Sequence, residues 1–308
     1  MPTVAFLGTP ETAVPTLRAL AGAVSLKAVF CNPDKPAGRG RHLEAPPVKA
    51  AALDLGIQVL QPASWKLPET REAWAALGIE LAVVVAYGHI LPRWVLDSCP
   101  LGVWNLHFSL LPRWRGAAPV NHALLAGDAE TGVALMRLTP GMDEGPVLAM
   151  TRRPITLADD APGLLSVLAL DGAALLLREL PALLDGTARP VEQVGQPTLA
   201  PKLNKEMAAL DPARPALELH RQVRALQPWP GTELTVEGTV LKVCGVGGLG
   251  SSPDAPGTLR WSREGAFLTC GEGTQLELTL LQRAGKPVQP ALQALQPWGS
   301  AGVKVAGR

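Results

Sequence analysis

The run Leu81-Ala82-Val83-Val84-Val85-Ala86 is the most apolar stretch of this chain, and its centre is three consecutive β-branched valines. A continuously apolar strand of this kind is typical of a parallel sheet that is covered on both faces. Before it, strands are predicted at residues 3–7, 26–31 and 57–60, and helices are predicted up to residue 21 and at residues 46–55 and 67–77. This alternation predicts an α/β fold with a doubly wound, mostly parallel, Rossmann-like sheet.

The chain is long for one hydrophobic core, because 308 residues exceed the size at which chains usually divide into domains. Residues 1–189 are predicted to form the α/β domain, and the polar, proline-containing residues 190–211 are predicted to form a linker. Residues 212–308 then form a second domain, with one helix and short alternating segments at residues 233–236, 239–246, 257–261, 266–269 and 275–281. These segments favour a small OB-type β-barrel, and a generic β-sandwich is the alternative.

Composition narrows the functional class only slightly. The formal net charge is +1, so no strong overall field indicates a polyanionic partner. The four cysteines are scattered without a CxxC pair, which argues against a zinc site and a disulfide framework and favours a reducing compartment. The N-terminus has no basic region before an apolar core, and no segment approaches a membrane-spanning run. We therefore expect a soluble, cytoplasmic protein.

An asparagine, a histidine and an aspartate suggest an active site. Asn105 and His107 follow an apolar strand-like run, and Asp143 lies in the turn Gly141-Met-Asp-Glu-Gly145. Asparagine supplies an uncharged donor, histidine carries protons near neutrality, and aspartate can hold that histidine charged and oriented. Taken singly, His107 is more simply interpreted as a core histidine and Asp143 as a turn residue. Taken together, the three suit acyl-group transfer, in which an oxyanion needs a donor and an amine proton needs a relay.

The segment at residues 32–49 is too long for an ordinary connection in a compact α/β domain. It is rich in proline and glycine, and its cationic residues are Lys35, Arg39, Arg41 and Lys49. One interpretation is a mobile surface loop. The other is a basic flap that orders on a phosphate backbone. The residues alone do not choose between them.

Four other features have weaker signals. Gly8-Thr-Pro-Glu11 lacks the GxGxxG pattern of a dinucleotide site, and a tight strand-to-helix turn is the simpler interpretation. The segment Tyr87-Gly88-His89-Ile90 follows the apolar strand and is expected to form the rim of a ligand pocket. His89 and His122 are interpreted as structural histidines. Trp229 is expected to anchor the core of the second domain.

Together these motifs resemble the methionyl-tRNA formyltransferase family, essentially from end to end. Asn105-x-His107-x-Ser109-Leu-Leu-Pro112 and Gly141-x-Asp143-x-Gly145 are shared by folate-dependent formyltransferases and hydrolases of this fold, so they indicate the donor chemistry and leave the acceptor open. Arg113-Trp-Arg-Gly-Ala-Ala-Pro119 and Pro36-Ala-Gly-Arg-Gly40 narrow the resemblance to the tRNA enzymes. Phe6-x-Gly-Thr-Pro10, Val83-Val-Val-Ala-Tyr-Gly88, Lys202-Leu-x-Lys205 and Pro228-Trp-Pro230 extend it along the chain.

The resemblance implies transfer of the formyl group of 10-formyltetrahydrofolate to the α-amine of methionyl initiator tRNA, with the folate as co-substrate and without a metal. It implies a monomer with no membrane attachment. The implied catalytic residues are Asn105, His107 and Asp143. The implied folate-binding residues are Ser109, Leu110, Leu111, Pro112, Tyr87, Gly88 and Ile90, and the implied tRNA-binding residues are Lys35, Arg39, Arg41, Lys202 and Lys205, together with the C-terminal OB-like domain.

Two positions depart from the family pattern. Phe108 stands where a small residue is usual, and we expect it to reshape the mouth of the pocket. Pro212 replaces an aromatic residue that is common after the linker aspartate. Three rival functions remain open: a formyltransferase for a small amine such as a sugar nucleotide or glycinamide ribotide, a catalytically silent RNA-binding protein, and a nucleotide-dependent oxidoreductase. The long basic flap argues against a formyltransferase for a small amine. The intact catalytic set argues against a silent RNA-binding protein, and the missing glycine fingerprint argues against an oxidoreductase.

Overall fold

The computed structural model describes residues 1–37, 42–299 and 303–306. The chain separates into two units. The first contains Met1–Pro119, Glu130–Pro154 and Leu165–Ala200, and the second contains Val120–Ala129, Ile155–Leu164 and Pro201–Arg308. Two short segments that precede Leu165 therefore belong to the unit that the C-terminal third mainly builds. Residues 190–200, the first eleven residues of the predicted linker, belong to the first unit.

Strands and helices alternate through the first two hundred residues. The strands are β1 (Val4–Gly8), β2 (Leu26–Phe30), β3 (Lys35–Ala37), β4 (His42–Glu44), β5 (Val59–Leu60), β6 (Leu81–Val85), β7 (Val103–His107), β8 (Arg115–Gly116), β9 (Glu130–Arg137), β10 (Val147–Pro154) and β11 (Leu199–Ala200). The helices are α1 (Val14–Ala23), α2 (Pro47–Asp54), α3 (Pro68–Leu77), α4 (Arg93–Ser98), α5 (Pro119–Ala126) and α6 (Ala161–Leu184).

The main sheet of the first unit has the strand order β10-β9-β7-β6-β1-β2-β5. The pairs from β7 to β5 are all parallel, whereas β9 is antiparallel to both β7 and β10. The prediction of a mostly parallel, Rossmann-like sheet is confirmed. The strand order reverses at β1, because β2 lies on one side of it and β6 on the other, and the carboxyl ends of strands at such a point are where α/β sheets bind ligands.

Both faces of this sheet are covered, as the apolar run of β6 predicts. On one face, Phe30 packs against Trp74 with ring centroids 5.2 Å apart, and Trp65 and Tyr87 extend the aromatic cluster. On the other face lies α6, whose Gly172 lets the helix approach the strands closely. A methyl group at Gly172 would lie 3.4 Å from side-chain atoms of Leu106 and Val133.

The second unit holds a separate antiparallel sheet. Its elements are α7 (Ala216–Ala225), β12 (Thr232–Val236), β13 (Thr239–Ser251), β14 (Thr258–Ser262), β15 (Gly265–Thr269), β16 (Thr274–Arg283), β17 (Gln289–Pro290), α8 (Ala291–Leu295) and β18 (Val303–Ala306). Within the described residues the strand order is β13-β12-β18-β14-β15-β16-β17, and β13 also pairs with β16. Side chains of β12 alternate between buried and half-buried, as expected for a strand with one face on a core.

The structure corrects one expectation and adds detail at two other places. Trp229 is 52 % exposed, so the expectation that it anchors the second core was wrong; leucines and valines such as Leu219 and Val243 fill that core instead. The flap at residues 32–49 is not irregular throughout, because β3 and β4 pair antiparallel on either side of residues 38–41. Pro212 is buried beside Gly257, which gives this unusual proline a packing role. In the part of the chain that is described, no helix is both long and apolar enough to cross a membrane.

Candidate active site

Asn105 and His107 stand at the carboxyl end of β7. They are two residues apart on the strand and therefore point to the same side of the sheet. β7 lies between β6 and β9, with Asn105 opposite Met136 and His107 opposite Ala134 in β9. His107 is only 6 % exposed, whereas Asn105 is half-buried. Among the described residues, the Asn105 side chain has no hydrogen-bond partner, so its amide is free to meet a ligand.

Asp143 approaches His107 from the turn between β9 and β10. Its carboxylate oxygen Oδ2 lies 3.6 Å from His107 Nδ1 and accepts a hydrogen bond of 2.8 Å from the backbone N–H of Gly116. Asp143 has a φ of 50°, in the left-handed region that non-glycine residues rarely occupy. The structure thus brings together His107 and Asp143, although the sequence separates them widely.

The other ring nitrogen of His107 fixes the orientation of the imidazole. Nε2 lies 2.8 Å from the backbone carbonyl oxygen of Trp114. A carbonyl oxygen can only accept, so Nε2 carries a hydrogen in this arrangement. Nδ1, which faces Asp143, is then the nitrogen that can gain or lose a proton. This geometry fixes the ring through Nε2 and leaves Nδ1 beside a carboxylate oxygen.

The segment from Ser109 to Pro112 forms a tight turn directly after β7. Ser109 is fully buried, and its hydroxyl donates a hydrogen bond of 2.6 Å to the backbone carbonyl of Arg113. The Leu111–Pro112 peptide bond is cis. Phe108, beside this turn, is 7 % exposed and directs its ring towards Gly172 of α6. The Ser109 hydroxyl therefore serves the turn itself, and the turn presents backbone and partly exposed side chains such as Leu110.

Tyr87, Gly88 and Ile90 follow β6 at the same edge of the sheet. The Tyr87 side chain is 2 % exposed, its hydroxyl accepts a hydrogen bond of 3.1 Å from Trp65 Nε1, and burial raises its pKa to about 12. Gly88 has a φ of 83°. The Ile90 side chain, in contrast, is 90 % exposed. In this segment, the apolar group available to a ligand is Ile90, while the Tyr87 ring belongs to the aromatic core.

Residues 191–200, which lie in the predicted linker, contribute to this site. β11 pairs in parallel with β8, and Thr198 accepts a hydrogen bond of 2.9 Å from the backbone N–H of Trp114. Gln193 donates to the backbone carbonyls of Asp143 and Gly145. We call residues 191–200 the strap. Nothing in its polar, proline-containing sequence signals this role, because its contacts are made mostly to backbone atoms.

The residues expected to bind tRNA lie apart from His107 and Asp143 in the sequence. Lys35 is exposed on β3, and Lys202 and Lys205 are exposed after the strap. Arg39 and Arg41 lie outside the described residues. Within the described residues, no group of three histidine, cysteine or acidic side chains is placed to hold a metal ion. The expectation of a metal-free reaction stays a prediction.

Comparisons with known proteins agree on the family. Residues 4–178 match the family model described as formyl transferase, and residues 202–297 match the model described as formyl transferase, C-terminal domain. The methionyl-tRNA formyltransferase of Methylococcus capsulatus is 45% identical over 307 residues, covering 98% of this chain and 99% of the relative. The methionyl-tRNA formyltransferase of Xanthomonas axonopodis pv. citri is 47% identical over 288 residues, covering 92% of this chain and 93% of the relative.

Solved structures with lower identity share the fold. An N-formyltransferase from Helicobacter canadensis, solved with folinic acid and dTDP-3-aminofucose, has a TM-score of 0.68 at 18% identity and covers 90% of this chain and 99% of its own. HypX from Aquifex aeolicus, solved with tetrahydrofolic acid, has a TM-score of 0.65 at 16% identity and covers 97% of this chain and 48% of its own. At this identity, the likeness supports the architecture alone.

Proposed function

The chain belongs to the methionyl-tRNA formyltransferase family, and we propose that Asn105, His107 and Asp143 are the residues with which it formylates methionyl initiator tRNA. The observation that carries this function is the match to curated members at 45% and 47% identity over nearly the whole of both chains. The formyl donor is 10-formyltetrahydrofolate, and the acceptor is the α-amine of the esterified methionine. The His107–Asp143 pair at the edge of the sheet supports the assignment of the site.

The proposed reaction is direct transfer. The free α-amine attacks the formyl carbon, and a tetrahedral intermediate with a negatively charged oxygen forms. The free amide of Asn105 and the His107 imidazole stabilise that oxygen, as donors preorganised in a buried site do. Asp143 lies beside the Nδ1 edge of His107 and orients the imidazole. As the bond between the formyl carbon and N10 breaks, the proton lost by the attacking amine reaches N10 by way of this pair.

We propose that Ser109, Leu110, Leu111 and Pro112 line the folate site, with Tyr87, Gly88 and Ile90 at its rim. The buried Ser109 hydroxyl and the buried Tyr87 ring leave the backbone and the exposed Ile90 side chain as the contacting groups. Both segments follow strands at the carboxyl edge of the sheet, where such sites lie in doubly wound folds.

The tRNA is proposed to contact Lys35, Arg39, Arg41, Lys202 and Lys205 and the C-terminal domain. We propose residues 1–189, 190–211 and 212–308 as catalytic domain, linker and tRNA-binding domain. Two features support an OB-type barrel for residues 212–308. They are the strand order of the second sheet and the additional pairing of β13 with β16. The proposal includes a cytoplasmic monomer that uses no metal. Sedimentation, fractionation and metal analysis of the active protein test these three points.

Variants of the catalytic residues test the assignment. We expect His107→Ala and Asp143→Ala to lower kcat for formylation of methionyl initiator tRNA by roughly 100-fold or more, because each removes oxyanion or proton-transfer stabilisation. Binding of the tRNA should be retained. His122→Ala is the control histidine, and its kcat should stay near that of the wild type. Near-normal kcat in either site variant contradicts the assignment of the site. If the wild-type protein formylates an amino-sugar nucleotide and does not formylate the tRNA, the proposed function is contradicted.

A further inference from the structure

The side chain of Gln193 makes hydrogen bonds from the strap to two other segments of the site. Its amide Nε2 donates hydrogen bonds of 2.8 Å to the backbone carbonyls of both Asp143 and Gly145. Its Oε1 accepts hydrogen bonds of 3.1 and 2.8 Å from Nε and Nη2 of Arg115. Both donors and both lone pairs of the amide are therefore used. The opposite orientation of the amide would set N–H groups against the guanidinium and oxygen against two carbonyls, so this assignment is the only one with matched partners.

Gln193 thereby joins the two segments that fix the catalytic pair. Arg115 adjoins Gly116, whose N–H holds the Asp143 carboxylate, and it follows Trp114, whose carbonyl accepts from His107. One side chain thus holds both the turn of Asp143 and the segment from Trp114 to Gly116, which contacts each member of the pair.

The backbone at this place needs external support. Asp143 and Trp114 both have positive φ, at 50° and 64°. Such conformations of non-glycine residues are disfavoured and persist only when surrounding contacts determine them. The strap supplies those contacts, since Gln193 holds the carbonyl of Asp143 and Thr198 holds the N–H of Trp114.

We propose that Gln193 is a positioning residue for the transfer reaction: by holding the Asp143 turn against β8, it sets the Asp143 carboxylate opposite His107 Nδ1. This inference rests on the proposed function. Gln193 does not touch the reacting atoms in this scheme. It acts through Asp143 and His107, so its loss should weaken the chemical step and leave substrate binding largely intact.

Two substitutions separate its donor role from its acceptor role. Gln193→Ala removes all the contacts. Gln193→Glu keeps an oxygen for Arg115 but places a second oxygen against the carbonyls of Asp143 and Gly145. We expect kcat to fall about 10- to 100-fold in both variants, as is typical when a supporting hydrogen bond behind a site is lost. KM for folate and for tRNA should change less than about threefold. Gln196→Ala, an exposed glutamine in the same strap, is the matched control.

A spectroscopic signal of the free protein makes the test independent of turnover. The ring ¹⁵N chemical shifts of His107 should move in Gln193→Ala and in Gln193→Glu, and should stay unchanged in Gln196→Ala. Thermal unfolding verifies that each variant is folded. The inference is overturned if the folded Gln193 variants keep wild-type kcat and wild-type His107 shifts, or if only KM rises. Absence of transfer by the wild type would instead refute the proposed function, and the His107 shifts would still decide the positioning role.

Discussion

At the scale of single residues, the site depends on a close backbone approach at Gly116. This glycine has a φ of 123°, and a Cβ at this position would lie 2.7 Å from the carbonyl oxygen of Ala200. Its N–H also donates to Asp143. Its φ and its close contact with the strap therefore both require that this residue have no side chain.

We predict that Gly116→Ala lowers the free energy of unfolding by about 1–3 kcal/mol, because alanine meets both an unfavourable φ and a backbone oxygen. It should also lower kcat, since β8 must shift away from β11. Gly22→Ala is the control: Gly22 lies in α1 with open space around a Cβ, and alanine there should be neutral or stabilise by roughly 0.5–1 kcal/mol. Urea unfolding and kinetics measure both. Equal stability of the two variants would contradict the packing at Gly116.

The residues of the site differ in how far sequence could predict them. The sequence could reveal His107, Asn105 and Asp143 because their proposed roles depend on their own side chains. Polar residues of these types after an apolar strand, or in a glycine-flanked turn, indicate a site. Gln193 could not be found this way, because it binds backbone carbonyls that almost any sequence would provide. The buried states of Ser109 and Tyr87 were equally hidden. They depend on which neighbours the fold places around a hydroxyl, and residue spacing does not reveal that.

At the scale of elements, α7 contains a buried pair of basic side chains. Arg224 Nε donates a hydrogen bond of 3.0 Å to His220 Nδ1. Arg224 Nη1 donates to the backbone carbonyls of Thr156 and Asp159. His220 is 5 % exposed and Arg224 9 %. Since Nδ1 accepts from a guanidinium, His220 is neutral in this arrangement. Burial, followed by the charges of Arg224 and Arg221, lowers the pKa of His220 from 6.5 to about 4.

This pair predicts a loss of stability in mild acid. Between pH 6.5 and about 4 the unfolded chain binds a proton at residue 220 that the folded chain rejects. The contribution to folding is therefore complete above pH 6.5 and is lost as the pH falls towards 4, by up to about 3 kcal/mol. Urea unfolding across this range should show it. In His220→Gln the corresponding decline should be absent, so parallel pH curves for the wild type and the variant would contradict the prediction.

Elements with a strong local pattern were predictable, and those defined by distant partners were not. The valine run of β6 predicts its own burial, and the one helix expected at the start of the second domain is α7. The strand β9 was missed, although most of it is buried between β7 and β10. β3, β4 and β8 are only two or three residues long, and they are strands because of what they pair with.

At the scale of the whole molecule, a formal charge of +1 is small for a protein that binds RNA. Affinity for the phosphate backbone must then come from local groups of cations. Lys202 and Lys205 are both exposed, and each phosphate contact that they make would release counterions and add to the salt dependence of binding.

We therefore predict that the double variant Lys202→Ala, Lys205→Ala binds methionyl initiator tRNA more weakly and with a salt slope that is smaller by about 1–2 in log–log units. Filter binding at several salt concentrations measures the slope. Lys66→Ala, which removes an exposed lysine without a proposed role, should leave it unchanged. An unaltered slope in the double variant would exclude these lysines as phosphate contacts.

The hydrogen bond between Trp114 and Thr198 joins residues 84 positions apart, and it has a consequence for biosynthesis. Every strand of the main sheet, together with His107 and Asp143, precedes the strap in the chain. During translation, the ribosome therefore releases the whole main sheet, with His107 and Asp143, before it releases the segment that contacts their backbone. The growing polypeptide can bury its core early, but the hydrogen bonds that hold Trp114 and Asp143 form only after the strap has emerged.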